Sequence, residues 1–324
     1  VDDPAPVALV LRSRVPPQNG GQTLIGYLRT RFPYHDQAGW RAQIAAGRLS
    51  VDGVVASGDV RLRPGATVAY TRVAPEPFVD DRIDVLHEDE HLLVVDKPAH
   101  LPMHADGPFV QSTLVNLLRQ RRREAGLHLV HRLDRETSGV CVLPRTPAAR
   151  AALHAQFAGS NVRKEYAAVV HGVVASDFRS DLAVGRARDS TVPMRRAAGE
   201  RASAGLPACT CFAVLARGSA ATLLRCEPRT GRTHQIRVHL EAAGHPIVGD
   251  KLYGRTDEQF LAFVRAVKES KDARRVPGIV PDRQLLHATA LSFVHPATGE
   301  PVTFRSPPPP LFAEWLQRSP GSPP

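Results

Sequence analysis

With 324 residues, 43% hydrophobic and 23% charged, the chain has the length for two domains and the composition of a globular protein in water. No apolar run approaches the roughly 20 residues of a bilayer span, and Val1-Asp2-Asp3-Pro4 is no secretory leader, so a cytoplasmic protein without a membrane role is expected. The net charge of +10 suits a polyanionic partner such as nucleic acid, although only five of the 42 basic residues are lysine, an arginine bias that a GC-rich genome also produces.

Residues 1–20, punctuated by Pro and Gly, read as an extended, loosely ordered segment. Residues 21–74 read as a compact unit. Leu24, Ile25 and Leu28 form one helical stripe, and Trp40, Ile44 and Ala45 another. Leu49 to Val55 then alternates around Asp52-Gly53, which signals a hairpin. Residues 75–83, opening on Pro75-Glu76-Pro77, form a linker. Strand, acidic turn and strand follow from Ile83 to Asp96, with a stop at Pro98. A helix is expected from Thr113 to Glu124, its basic end at Arg119, Arg121, Arg122 and Arg123 either complementing the helix dipole or meeting phosphates.

The apolar runs Leu127 to Val130 and Val140 to Leu143 read as short strands, with Ser138-Gly139 as turn chemistry between them. A helix opens at Pro147, and strands are expected at 165–170, 210–215 and 221–226. Residues 177–205 read as irregular loops over the sheet. Residues 255–284 read as a second irregular insertion with one amphipathic helix through Phe260, Phe263 and Val267. The tail, 313–324, should be mobile after about residue 317. The cysteines (Cys141, Cys209, Cys211, Cys226) lack the paired spacing that zinc requires. They read as small buried hydrophobes in a reducing compartment, and no metal site is expected.

One stretch carries chemistry. In His131-Arg132-Leu133-Asp134-Arg135-Glu136-Thr137-Ser138-Gly139 a carboxylate lies between two guanidinium groups. Neighbouring cations favour an ionised carboxylate, which when fixed can act as a nucleophile; a surface ion-pair cluster is the plainer alternative. These nine residues closely resemble the catalytic signature of the RluA-type pseudouridine synthases, whose Asp at the position of Asp134 is the nucleophile.

Further blocks resemble the same family in order and spacing. They are Glu88 to Pro98 with His104 beyond it, Lys164-Glu165-Tyr166, and Thr230 to Leu240 running on through Gly249-Asp250 to Leu252-Tyr253-Gly254. Leu286-His287-Ala288 is also family-like. The resemblance spans residues 84–312 and implies an α+β catalytic domain on a mixed, largely antiparallel sheet. Residues 21–74 resemble the S4 RNA-binding module, most clearly from Ile44 to Gly53. They depart from it at Gln22-Thr23-Leu24 and His35-Asp36-Gln37.

The resemblance implies isomerisation of uridine to pseudouridine in ribosomal or transfer RNA, by a monomer. The base stays in the site while its glycosidic bond moves from N1 to C5, so no cofactor is expected. Asp134 would be the nucleophile, Arg237 the cation beside it, and Tyr166 the platform for the base and a candidate for handling the C5 proton, with a plain core role as its alternative. Arg132 would insert where the flipped base had been, unless it pairs with Glu136 or a phosphate. His131, Lys164, Arg232 and His234 are candidate RNA contacts, with structural roles as the alternative for the histidines and, for Arg232, helix entry or a place facing Asp134. Two rivals remain: a non-catalytic RNA-binding protein that kept the fold, and a hydrolase using Asp134. A glycosidase pairing Asp134 with Glu136 would need carboxyl groups roughly 5 Å or more apart across a sugar.

Overall fold

A computed structural model describes residues 7–32, 35–74, 76–106, 109–270 and 281–318. The chain divides into two compact units, residues 1–76 and 77–324.

In the first unit, α1 (Leu24–Arg31) and α2 (Gln37–Ala45) start where Thr23 and Asp36 accept hydrogen bonds from the amides of Gly26 and Gly39, as N-caps do. The His35-Asp36-Gln37 stretch therefore supplies a cap. The hairpin of β2 (Leu49–Val51) and β3 (Val54–Val55) turns at Asp52 and Gly53, both at positive φ, 50° and 84°, as a tight hairpin turn demands. Leu24, Leu28, Trp40, Leu49 and Leu62 close a small core. The expectation of a loose first 20 residues needs correction. Val7–Arg14 is a strand, β1, paired along its length with β4 (Thr67–Ala74), so this segment completes the sheet of the first unit.

The second unit is built on a nine-stranded sheet. From one edge run β5 (Asp84–Glu88), β6 (Leu92–Lys97), β7 (Ser138–Pro144), β15 (Leu286–Val294), β8 (Arg163–His171), β14 (Ala221–Pro228), β13 (Thr210–Arg217) and β9 (Phe178–Ser180). A further strand, β16 (Pro301–Arg305), pairs with β15. Neighbours are antiparallel except β7 with β15. The flanking helices are α3 (Leu114–Arg122), α4 (Pro147–Ala158), α5 (Gln235–Ala242), α6 (Asp257–Ser270) and α7 (Leu311–Gln317). Leu92 to Val95 and Val140 to Leu143 are buried on both faces, which explains their unbroken apolar runs. Among the described residues, no helix is long and apolar enough to cross a membrane.

Three further expectations are corrected. Residues 127–130 form no strand; Leu127 is buried, and its carbonyl accepts two hydrogen bonds from Arg119, at 3.0 and 2.7 Å. The basic end of α3 is accordingly occupied within the protein, with Arg121 on Asp81 and Arg122 on Glu88. Ser138-Gly139 is the start of β7 and no turn. Gly139 has φ 115°, and a Cβ there would stand 2.2 Å from the Ala288 carbonyl oxygen, so only glycine lets β15 approach. Finally, 177–205 is no set of loops. It supplies β9 and a three-stranded sheet of β10 (Val184–Ala187), β11 (Arg196–Ala198) and β12 (Ala202–Leu206). Val184 and Val192 there pack with Val238, Leu252 and Tyr253. Residues 271–280 of the second insertion and the tail beyond 318 lie outside the described residues.

Candidate active site

Asp134 sits on the loop that enters β7. Its carbonyl accepts from the Thr137 amide at 3.1 Å, closing a turn. Leu133 anchors the loop in the core. Lys97, fully buried, donates to the carbonyls of Pro98, Leu101 and Arg135. Glu136 is held by Lys251 at 2.8 Å and Arg135 at 3.1 Å and accepts from the Gln284 amide. Burial pushes its carboxyl up, but Lys251 and Arg135 outweigh that and hold it at about 2. Glu136 is committed to bracing the loop, which leaves the glycosidase reading without its second acid.

The partner of Asp134 comes from α5. Arg237 donates from Nη1 to Asp134 Oδ2 at 2.7 Å, while its Nε and Nη2 bind the two oxygens of Asp250 at 2.7 and 2.9 Å. The Asp250 side chain is fully buried, and its Oδ1 also accepts from the amides of Leu252 and Tyr253. The Arg237 guanidinium lies over the Tyr253 ring at 4.8 Å. Burial disfavours its charge, but Asp250 and Asp134 raise its pKa well above the ordinary value. For Asp134, burial pushes the carboxyl up, yet His234 in the protonated form it takes in acid, together with Arg237 and Arg132, brings it to about 2. At neutral pH the nucleophile candidate is ionised, aimed, and 23% exposed to the cleft.

That cleft is lined by Arg132, Asp134, Tyr166, Thr230, Arg232, His234 and Arg237. Tyr166 is on β8, and burial pushes its phenol up, so it is neutral. Arg132 is exposed and, among the described residues, has no hydrogen-bond or ion-pair partner; Glu136 is taken by Arg135 and Lys251. Arg232 is exposed and donates from Nε to the Pro207 carbonyl at 3.1 Å. Lys164 sits just outside these lining residues, its Nζ 3.4 Å from the Thr230 carbonyl. His131 is placed differently. Its ring stacks on Phe157 at 4.9 Å, and its Nε2 accepts from the Val142 amide at 3.1 Å. Burial and Lys164 hold it down at about 4. This geometry favours the structural alternative for His131.

Sequence reasoning gave no role to four residues that build the site. Asp250 orients Arg237. Tyr253 underlies it. Lys97 holds the backbone beside Asp134. Gln235 ties the approach to α5, with Oε1 accepting from Thr230 Oγ1 and the Arg232 amide and Nε2 donating to Cys209 O and Thr210 Oγ1. All four lie inside the family-like blocks, which was the available signal. Among the described residues, no group of three or more His, Cys, Asp or Glu side chains could hold a metal ion.

Comparisons with known proteins identify the family of the chain. Residues 91–242 match the family model for RNA pseudouridylate synthase. The chain is 35% identical over 322 residues to ribosomal large subunit pseudouridine synthase D of Xanthomonas campestris pv. campestris, covering 94% of this chain and 89% of that one. It is 39% identical over 231 residues to ribosomal large subunit pseudouridine synthase C of Escherichia coli K12, covering 69% and 66%. Among solved structures it resembles human RNA pseudouridylate synthase domain containing 1, with a TM-score of 0.57 and 27% identity over 72% of this chain and 86% of that one.

Proposed function

The chain belongs to the RNA pseudouridylate synthase family, and from that premise we propose that it isomerises uridines in large-subunit ribosomal RNA, with Asp134 as the nucleophile. The observation that carries the reading is the buried Asp250–Arg237–Asp134 chain, which presents an ionised carboxylate to the cleft that Tyr166 lines. The RNA class follows the names of the relatives, which are large-subunit enzymes.

The reaction breaks the bond from ribose C1′ to N1 of uracil and makes one from C1′ to C5. N1 gains a proton and C5 loses one, so the isomerisation is redox-neutral. Asp134 adds either at C1′ or at uracil C6, and the adduct collapses once the base has turned. Tyr166 gives the base a face to stack on. The target must leave its RNA stack first, at a cost of a few kcal/mol. Arg132, without a partner among the described residues at the rim of the cleft, has a planar cation suited to filling the vacated stack. Arg232 and Lys164 are proposed as phosphate contacts. His234, on the cleft wall, is assigned to the reacting centre. The first unit, with its helix pair and hairpin, is proposed as an S4-like module that adds RNA affinity.

The test offers the protein unmodified transcripts of large-subunit ribosomal RNA and of transfer RNA. Pseudouridine is mapped by chemical modification and primer extension. Site-specific pseudouridine in the ribosomal transcript is expected; modification of transfer RNA alone would reassign the substrate, and none in either would overturn the reading.

A further inference from the structure

His234 stands at the entrance to α5 in the left-handed region, with φ 58°, a conformation that costs a non-glycine residue energy and persists where the surroundings impose it. Its ring is nine-tenths buried between Asp134 and Tyr253. Nδ1 lies 2.8 Å from the Tyr253 hydroxyl, and Nε2 lies 3.8 Å from Asp134 Oδ1. The Tyr253 hydroxyl has one other partner among the described residues, the Arg196 amide of β11 at 3.1 Å.

These contacts settle the direction of each hydrogen bond. A backbone N–H can only donate, so the Tyr253 oxygen accepts from Arg196. Its own proton must then go to His234 Nδ1, because Tyr253 is 1% exposed and a buried hydroxyl hydrogen is rarely left unpaired. A neutral imidazole that accepts at Nδ1 carries its proton on Nε2. Burial and the Arg237 charge hold the ring down at about 4, with Asp134 and Asp250 opposing and Arg196 assisting, so it is neutral at pH 7.

We infer that Tyr253 is a positioning residue that locks His234 in the tautomer whose Nε2–H points at Asp134 Oδ1. At 3.8 Å the hydrogen bond is not yet made; it closes when RNA loads the site. Each carboxylate oxygen then has one assigned donor, Arg237 on Oδ2 and His234 on Oδ1. The second donor is neutral, so it fixes the plane of the nucleophile without adding a further positive charge that would blunt it. The β10–β12 insertion enters the chemistry through the Arg196 amide.

The inference rests on the proposed role of Asp134, but its first test does not. Ring nitrogen shifts of His234, read by NMR in the free protein, report the tautomer without RNA. The Nε2–H form is expected in the parent, with Nδ1–H rising in Tyr253→Phe, which keeps the ring under Arg237. Single-turnover pseudouridine formation at saturating RNA should slow about three- to tenfold in Tyr253→Phe, the worth of one hydrogen bond, with RNA affinity unchanged. His234→Gln, whose amide nitrogen mimics Nε2, should retain more activity than His234→Asn, whose nitrogen mimics Nδ1. Adding Tyr253→Phe to His234→Gln should cost nothing further. A parent in the Nδ1–H form, or an equal penalty from Tyr253→Phe in both backgrounds, overturns the inference. A parent that makes no pseudouridine at all defeats the proposed function while the tautomer remains readable.

Discussion

Asp250 grips Arg237 by Nε and Nη2 and leaves Nη1 as the nitrogen that meets Asp134. The guanidinium is thus held from behind by a carboxylate that is itself pinned by two backbone amides. Removing Asp250 leaves a buried, half-paired cation, and breaking such a pair costs about 3–5 kcal/mol. Asp250→Ala should therefore unfold at markedly lower denaturant. The milder Asp250→Asn should fold but lose about a hundredfold in single-turnover rate, the scale set by a 1 Å misplacement of a catalytic group. Near-parental turnover in a folded Asp250→Asn variant would show that Arg237 needs no such support.

Asp134→Asn should abolish pseudouridine formation while RNA still binds, because the amide nearly matches the carboxylate in shape but cannot add to the nucleotide. Turnover within tenfold of the parent would remove Asp134 from its role. The same variant has a signature in acid. The folded carboxyl sits at about 2, below its ordinary value of 3.8, so its ionised form stabilises the fold fully above that ordinary value. That contribution fades as pH falls through 4 towards 2. Urea unfolding at pH 6 should show Asp134→Asn less stable than the parent, and the gap should shrink by pH 3. Glu136→Gln should behave alike, since Glu136 is also held at about 2.

Tyr166 has no hydrogen-bond partner for its hydroxyl among the described residues, and its ring packs against two of the apolar cores. Tyr166→Phe should therefore keep most of the fold and more activity than Tyr166→Ala, which also opens a cavity worth about 3–5 kcal/mol. Product formation and thermal unfolding compared across the two variants decide the matter. Equal inactivity in two folded variants would make the hydroxyl essential and move Tyr166 from stacking to proton transfer at C5.

Gly139→Ala tests the seam between β7 and β15. The new methyl would meet the Ala288 carbonyl oxygen at 2.2 Å on a backbone with φ 115°. Strain at such a position costs on the order of 1–3 kcal/mol before the clash is counted. The variant should be recovered unfolded or with unfolding shifted to clearly lower denaturant. A stability within about 0.5 kcal/mol of the parent, the range of an innocuous surface change, would contradict the account of this strand pair.

How much of this was legible in the sequence depended on the range of the interaction. Asp134, Arg237 and Tyr166 were named from motif blocks, and the cleft brings all three together. The N-terminal helix pair and hairpin were visible because stripe and turn are local patterns. Asp250 and Tyr253 carry no role that the sequence displays, since their partners lie 13 and 19 residues away and no periodicity points across that gap. Ser138-Gly139 looked like a turn because glycine in a strand is uncommon; its reason, the approach of Ala288, comes from a residue far along the chain. Residues 177–205 looked irregular because strands of three to five residues rich in Arg, Ala and Gly are too short and too weakly apolar to alternate visibly.

The first unit offers the last prediction. Its own core, from Val15 to Tyr70, and the separate cores of the second unit mark residues 1–76 as a removable part. Arg29, Arg31 and Arg41 are exposed on the helix pair, while Arg48 donates to Gln43 Oε1 at 3.0 Å. Asp36, at the start of α2, adds a negative charge to the same pair and is spent on capping. Each phosphate contact made by a basic side chain steepens the salt dependence of binding by roughly 0.7 to 0.9. Deleting 1–76 should therefore weaken RNA affinity modestly and flatten the salt slope by about two units or fewer. The single-turnover rate at saturating RNA should change little, because every residue assigned to the chemistry lies beyond residue 77. Affinity measured against salt, with saturated rates for both proteins, checks both halves. A folded truncation whose saturated rate collapsed would mean that the first unit helps to build the active site.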